Sequence, residues 1–290
     1  MPKVTDKNYT LPDFLIQKMD FASKRVTERK LDAVFMIDGD EGFGKSGISF
    51  LLAYYIAWKT GRTFTLKNVF FDPHELIDFI NSTKNQVIVW DEAALGGLAS
   101  GWQNKVQQMI IQTLMTCRSR QHIIFFNCPK FYRLNLYFVV DRAAGLIHVY
   151  SEDGMNAGCV TYHMKEWLEN MMNFWSSKKR KPYKIFYNKL LRGTFPDGFK
   201  TTIINEKEYD AKKDHYTNKL LSTYSVEKYN AKELKLQYKI SQLPSKIKTL
   251  NGVELIEGLS ISQNSLTRWG KIPLKYPEIF KENDLFTPSP

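Results

Sequence analysis

The chain has 290 residues, of which 43% are hydrophobic, 14% aromatic and 24% charged. This composition suits one large or two small globular domains with a well-buried core, and it excludes a disordered or fibrous protein. The longest nearly apolar stretch, residues 48–58, is too short to span a bilayer, and three scattered cysteines do not make a disulfide framework. The first residues lack the apolar core of a signal peptide, so we expect a cytoplasmic protein without a membrane span.

The net charge of +11 is concentrated in the C-terminal part of the chain. Residues 1–172 contain 19 lysines and arginines against 18 aspartates and glutamates, whereas residues 173–290 contain 22 against 12. This asymmetry favours a polyanionic partner, although a solvated lysine-rich surface would give the same count.

Predicted strands and helices alternate after a polar lead-in over residues 1–30. The predicted strands lie at residues 31–37, 86–90, 122–126 and 145–150, and the predicted helices at residues 48–58, 72–81 and 103–116. Asp72, Pro73 and Glu75 form a typical helix start. The alternation predicts a three-layer α/β fold, in which helices cover both faces of a mainly parallel sheet.

A polar, basic joint at residues 176–182 marks the expected boundary between two domains. We assign residues 31–175 to the α/β domain. Residues 183–290 are expected to form a smaller, basic and mostly helical C-terminal region.

Residues 39–46, GDEGFGKS, match the pattern G-x-x-x-x-G-K-[ST] at every fixed position. Glycines let backbone N–H groups turn toward phosphate oxygens, and the following helix directs its positive end at the same anion. An ordinary glycine-rich turn is the alternative, but the strand before and the helix after are the context that the motif requires. Lys45 is expected to reach the β- and γ-phosphates, and Ser46 to bind Mg²⁺. The predicted nucleotide-binding residues are Gly39, Asp40, Glu41, Gly42, Phe43, Gly44, Lys45, Ser46 and Gly47.

Asp91 and Glu92 end the apolar segment 87–90, about 45 residues after the P-loop. In a P-loop enzyme, Asp91 would orient the magnesium ion and Glu92 would act as general base toward the attacking water. An acidic pair at a strand end is otherwise usually a surface loop. A base carried next to the metal aspartate favours repeated hydrolysis over a switch that waits for an activator.

Other polar residues are candidates for contact with the γ-phosphate. Arg118 and Arg120 are the leading candidates for an arginine finger, with Arg142 as a third, although cations at a helix C-terminus are also favourable without any catalytic role. Asn127 follows a predicted strand, where it would contact the γ-phosphate or the attacking water or would simply begin a turn.

Residues 253–269 predict two helices separated by a glycine turn, a pattern that DNA-binding helix-turn-helix motifs share with many small helical hairpins. The second helix carries Gln263, Asn264, Thr267 and Arg268, which suit contacts with base edges in the major groove. Surrounding lysines would contact phosphates in either case, and interleaved aromatic residues could instead stack on single-stranded bases.

The order of these motifs resembles the additional-strand (RecA-like) P-loop ATPases, most closely the FtsK/HerA branch near the zonular-occludens-toxin-like and viral genome-packaging ATPases. The resemblance covers residues 30–150. It implies a homo-oligomeric ring, pentameric or hexameric, in which a neighbour's arginine completes each ATP site and through which DNA passes. Members of the branch usually carry glutamine where this chain has Asn127.

The expected function is therefore a Mg²⁺-dependent, ATP-hydrolysing motor of a virus or mobile element that packages or translocates double-stranded DNA. One alternative is an ATPase that loads another protein at a specific DNA site. Another is an ATP-driven phage assembly protein with no role on DNA. DNA stimulation of the ATPase, and its dependence on sequence, would distinguish the three.

Overall fold

The structure, a computed structural model, describes residues 9–91, 101–154, 156, 158–178, 180–183, 185–186, 188–196 and 203–227. Its helices are α1 (Asp13–Arg29), α2 (Lys45–Lys59), α3 (Pro73–Ser82), α4 (Gly101–Thr116), α5 (Lys165–Lys178) and α6 (Glu206–Glu227). Its strands are β1 (Ala33–Gly39), β2 (Val69–Phe70), β3 (Val87–Trp90), β4 (Ile123–Cys128), β5 (Ala143–Tyr150), β6 (Cys159–Met164) and β7 (Arg192–Thr194).

The strands form one mixed sheet in the order β2-β3-β4-β1-β5-β6-β7. The first five strands of that order are parallel to one another, and β6 and β7 add antiparallel pairs at one side. Strand β4 lies between β1 and β3. Ile37 is paired with Asn127 and Trp90 with Phe126, so the carboxyl ends of these three strands meet at one edge of the sheet.

Helices cover the sheet on both faces, because the residues of each buried strand alternate in direction. Val34 and Met36 of β1 belong to a core cluster that also contains apolar side chains of α3, α4 and α5. Phe35 stacks on Phe125 with ring centroids 5.5 Å apart, on the face that α2 covers. The α/β class and the mainly parallel sheet expected from the sequence are confirmed.

The predicted helices and strands between residues 31 and 150 are all present. Asp72 caps α3 as expected, since its Oδ1 accepts a hydrogen bond from the backbone N–H of His74 at 2.8 Å. Pro73 occupies the first helical position. Helix α2 is apolar on nearly every side because it is almost completely buried.

The N-terminal segment, expected to be a lead-in, contributes a helix to the main fold. Helix α1 buries Phe14, Leu15, Met19, Ala22, Ser23 and Val26, a spacing of three to four residues that places them on one face. This face packs against α2 and β1. Residues 13–29 therefore belong to the α/β layers.

The chain divides into two compact units, residues 1–213 and residues 214–290, rather than at residues 176–182. Strand β7 extends the sheet by pairing with β6, and Tyr183 and Tyr209 are buried within the first unit. These contacts attach residues 183–213 to the α/β unit. No helix within the described ranges is both long enough and apolar enough to cross a membrane.

Candidate active site

The loop between β1 and α2 has a backbone that glycine makes possible. Gly42 and Gly44 have φ angles of 79° and 92°, in the left-handed region that other residues avoid. Gly39 has a φ of 151°, and a Cβ atom there would lie 2.2 Å from the carbonyl oxygen of Val149 on β5. Two of these glycines are therefore required by their φ angles, and the third by its close approach to β5.

Helix α2 begins directly at the end of this loop, with its N-terminus at the sheet edge. Gly44 is the N-cap residue, and no side chain among the described residues caps the helix. The first N–H groups of a helix and its dipole favour an anion. All nine residues predicted to bind nucleotide lie on this loop and the first turn of α2, with Gly47 buried in the helix.

Lys45 is folded back over the loop. Its Nζ donates hydrogen bonds to the carbonyl oxygens of Gly39 at 3.0 Å and Asp40 at 2.9 Å. Partial burial lowers the pKa of the Lys45 ammonium, while nearby carboxylates, including those of Asp91 and Asp38, act in the opposite direction. A cation held on backbone carbonyls beside the free helix start is suited to bind phosphate oxygens.

Asp91 and Ser46, the two predicted magnesium ligands, lie on either side of a third side chain. The hydroxyl of Tyr209, on α6, donates a hydrogen bond to Oδ2 of Asp91 at 2.6 Å. The same hydroxyl lies 3.3 Å from Oγ of Ser46. Asp91 is 2% exposed and Tyr209 is 4% exposed, so this connection is buried.

Asn127 completes the arrangement from β4. Its Nδ2 donates hydrogen bonds to Oδ1 of Asp91 and to Oγ of Ser49, both at 3.0 Å. Its buried Oδ1 has no hydrogen-bond partner among the described residues. A buried polar atom without a partner is uncommon in folded proteins and costs free energy, so this acceptor is available for a ligand or water.

Asp38 anchors the start of the loop from below. Its fully buried carboxylate accepts hydrogen bonds from the hydroxyl of Tyr183 at 2.5 Å and the backbone N–H of Phe131 at 3.2 Å. Nδ1 of His148 lies 2.8 Å from the same carboxylate, and the His148 ring stacks on Tyr183. Desolvation and this carboxylate raise the pKa of Tyr183 far above its usual value. These contacts hold Asp38 in place directly before Gly39.

The exposed part of the loop carries an ion-pair group of its own. Asp40 pairs with Lys130, and Lys181 Nζ lies 3.7 Å from its other carboxylate oxygen. The hydrogen bond from Lys130 is the main reason that the pKa of Asp40 is lowered. Both lysines are therefore close to the loop between β1 and α2.

The oxygen atoms at the site are the kind of ligand that Mg²⁺ takes. Ser46 supplies a hydroxyl oxygen and Asp91 a carboxylate oxygen, and both atoms lie within 3.3 Å of the Tyr209 hydroxyl. Magnesium is usually held by one or two carboxylates together with substrate phosphates. Among the described residues, no group of three or more histidines, cysteines or carboxylates forms a metal cluster. The residues present fit a magnesium ion that a nucleotide brings with it.

The candidate arginines are not near this site within the chain. Arg118 and Arg120 precede β4, at the edge of the sheet opposite the P-loop, so the seven residues of β1 separate them from the loop by about 20 Å. Arg120 donates to the carbonyl oxygen of Thr83, and Arg118 is exposed. A contact with the ATP site of the same chain is excluded, whereas a contact with a neighbouring subunit's site stays a prediction.

Arg142, the third candidate, has a structural partner instead. It is 8% exposed and forms a buried ion pair with Asp32 at the same edge of the sheet as Arg118. A guanidinium held in this way is not available as an arginine finger.

Some predicted functional residues lie outside the described residues. These are Glu92 and the helix-turn-helix at residues 253–269, with Gln263, Asn264, Thr267 and Arg268. Their roles stay predictions.

The sequence did not single out Tyr209, Ser49 or Asp38 as parts of the site. Asp38 had a signal, because an acid that ends an apolar strand next to a P-loop is unusual in a buried segment. Tyr209 had none, since it is 118 positions from its partner Asp91 in the sequence. Compared with known proteins, the chain matches no family model, and no curated protein is significantly similar to it in sequence.

Proposed function

We propose that the chain is a Mg²⁺-dependent ATPase that hydrolyses ATP at the P-loop. The observation that carries the proposal is the convergence of the loop, Ser46, Asp91 and Asn127 at one edge of the sheet. Ligands of α/β proteins bind outside the carboxyl ends of the strands, which is where these residues lie. The position of strand β4 between β1 and β3 supports the resemblance to the additional-strand ATPases.

Each residue of the site has a distinct task in this reaction. The N-terminus of α2 and Lys45 hold the triphosphate, and Ser46 and Asp91 hold the magnesium ion. A magnesium ion held by Ser46 and Asp91 would neutralise the negative charge that develops on the phosphates. Glu92, next to Asp91, accepts a proton from the attacking water, and Asn127 positions Asp91 through its amide.

DNA is proposed as the partner because of the charge of the C-terminal part of the chain. Residues 173–290 have ten more basic than acidic residues, whereas residues 1–172 are nearly balanced. A polyanion held by this region would bind with a strong dependence on salt. We therefore propose that hydrolysis drives movement along DNA, as in packaging or translocation by a virus or mobile element.

The test is steady-state ATP hydrolysis by the wild type and by Glu92→Gln, with linear double-stranded DNA of increasing length. We expect the rate to rise with DNA length, and the variant to lose turnover by at least about 100-fold because a general base contributes 10²–10⁴-fold. Glu28→Gln, an exposed substitution of the same kind on α1, is the control and should behave as the wild type.

Two results would contradict parts of the proposal. Turnover by Glu92→Gln at the wild-type rate would remove Glu92 as the base. Turnover that ignores DNA of any length would reject the motor and favour the assembly protein, and stimulation by one DNA sequence alone would favour the loader.

A further inference from the structure

The hydroxyl of Tyr209 lies between the two predicted magnesium ligands, Ser46 and Asp91. Its hydroxyl is 2.6 Å from Oδ2 of Asp91 and 3.3 Å from Oγ of Ser46. Mg²⁺ binds ligand oxygens at 2.0–2.1 Å and demands near-octahedral geometry. A magnesium ion between Ser46 and Asp91 would therefore compete with the Tyr209 hydroxyl for the same volume.

The start of α6 is built to hold the tyrosine there. The Tyr209 ring packs against Phe50 of α2 and against Phe71, with centroid distances of 5.4 Å and 5.6 Å. One turn later, Lys212 Nζ donates a hydrogen bond to the carbonyl oxygen of Val69 at 2.6 Å. The side chain of Asn205 caps the helix by accepting from the N–H of Lys207 at 3.0 Å. The hydroxyl is therefore the end of a packed element and not a freely rotating surface group.

The hydrogen bond performs one of the electrostatic tasks of the ion. A buried carboxylate is costly unless it is paired or hydrogen-bonded, and a phenol O–H pointing at Asp91 meets that need without a cation. We propose that Tyr209 is a stand-in for the metal in the nucleotide-free chain, and that its hydroxyl must leave Asp91 when Mg²⁺ and nucleotide bind. This inference rests on the proposed ATPase site, which it supplies with a residue that sets the affinity for the magnesium–nucleotide complex.

A positioning role for Tyr209 predicts the opposite change in the affinity for Mg²⁺ and nucleotide. A tyrosine that only positions Asp91 for the metal would help binding, and its loss would weaken the affinity for Mg²⁺ and nucleotide. A tyrosine that occupies the metal position competes with binding, and its loss strengthens it.

The experiment measures the dissociation constant of a fluorescent ATP analogue, with excess Mg²⁺ and with EDTA, for the wild type and Tyr209→Phe. Removing a hydrogen bond to a charged group that binding must break should tighten Mg²⁺–nucleotide binding about 10-fold or more. Binding in EDTA should change less than about twofold, because no ion then claims the position. Phenylalanine keeps the ring contacts with Phe50 and Phe71, and Tyr209→Met, which also lacks the hydroxyl, is a second variant with the same expectation.

Tyr55→Phe is the matched control, since its hydroxyl also donates to a carboxylate, that of Asp20, but this hydrogen bond joins α2 to α1. It should leave both dissociation constants unchanged. Equal or weaker Mg²⁺–nucleotide binding by folded Tyr209→Phe, beside a wild type that binds, would overturn the stand-in role alone. Failure of the wild type and of every variant to bind nucleotide would overturn the ATP site and this inference with it.

Discussion

Two buried aspartates at opposite edges of the sheet are satisfied in different ways. Asp32, just before β1, is 5% exposed and forms an ion pair with the guanidinium of Arg142. Asp91, just after β3, is 2% exposed and accepts hydrogen bonds from neutral groups, the amide of Asn127 and the hydroxyl of Tyr209. The first carboxylate is paired with a buried guanidinium, whereas the second accepts hydrogen bonds from an amide and a phenol.

Under the proposed function, this difference separates a structural edge of the sheet from the edge that binds the nucleotide. Removing one member of a buried ion pair leaves an uncompensated charge, so replacing either partner alone lowers the stability of the fold. Neutral donors stabilise a carboxylate less strongly, and they leave its charge available to a metal ion. A polar network of this kind next to a glycine-rich loop and a helix N-terminus suits the nucleotide site that we propose.

Asp91→Asn has the largest expected effect on activity. The substitution keeps the size of the side chain and removes the charge that holds the metal. A bound metal ion contributes several kcal/mol of transition-state stabilisation. We expect Mg²⁺-dependent ATP turnover to fall on the order of 1,000-fold. The free energy of unfolding in urea should change by less than about 1 kcal/mol, because an asparagine oxygen still accepts from Asn127.

Asp78→Asn, on α3, provides the control for this substitution because its contacts lie away from the loop. It should keep wild-type turnover. Undiminished hydrolysis by folded Asp91→Asn would show that the functional edge of the comparison has been placed at the wrong aspartate.

The amino-acid sequence predicts much of the functional edge because its signals are local. Gly39, Gly44 and Lys45 are required by the backbone of one turn, and Asp91 follows an apolar run that can only be a buried strand. Strand β4 and Asn127 could be predicted for the same reason. Regular alternation of apolar strands and helices was enough for the fold class.

The remaining parts depend on contacts between distant residues. Strand β2 has two residues and β7 has three, too few for a periodic pattern, and their pairing partners define them. Tyr209 and Arg142 each look like ordinary members of their segments. Only the folded chain brings Tyr209 to Asp91 and Arg142 to Asp32, and the second contact removes a plausible catalytic arginine.

Asp32→Asn should lower the free energy of unfolding, whereas the same substitution at Asp91 should lower ATP turnover. Asp32→Asn leaves Arg142 buried without a countercharge, which predicts a loss of about 3–5 kcal/mol in the free energy of unfolding. The double variant Asp32→Val/Arg142→Met, which removes both charges, should recover most of this loss. Urea denaturation followed by circular dichroism measures both. A loss below about 1 kcal/mol for the single variant would show that the two edges are not distinguished by their ion pairing.

A smaller effect is expected from His163, which lies in the protein interior near another buried aspartate, Asp38. Burial, and then the neighbouring His148, lower the pKa of His163 to about 4 from its ordinary value of 6.5. Nδ1 of His163 lies 2.9 Å from the carbonyl oxygen of Phe186, and Nε2 lies 3.2 Å from Oγ1 of Thr161. The native chain therefore holds a neutral imidazole over a pH range in which the unfolded chain binds a proton.

The sign of the pH dependence follows from that difference. Between pH 6.5 and 4 the unfolded state gains the proton and the native state does not, so stability falls as the pH is lowered, by up to about 3 kcal/mol, and this group adds nothing further below pH 4. His163→Asn keeps a donor for Phe186 and cannot titrate, so its free energy of unfolding should decline less between pH 7 and pH 4.5 than that of the wild type. His122, whose pKa burial also lowers, is unchanged in both proteins and contributes equally. Parallel stability curves for the two proteins would show that this histidine does not cause the loss of stability in acid.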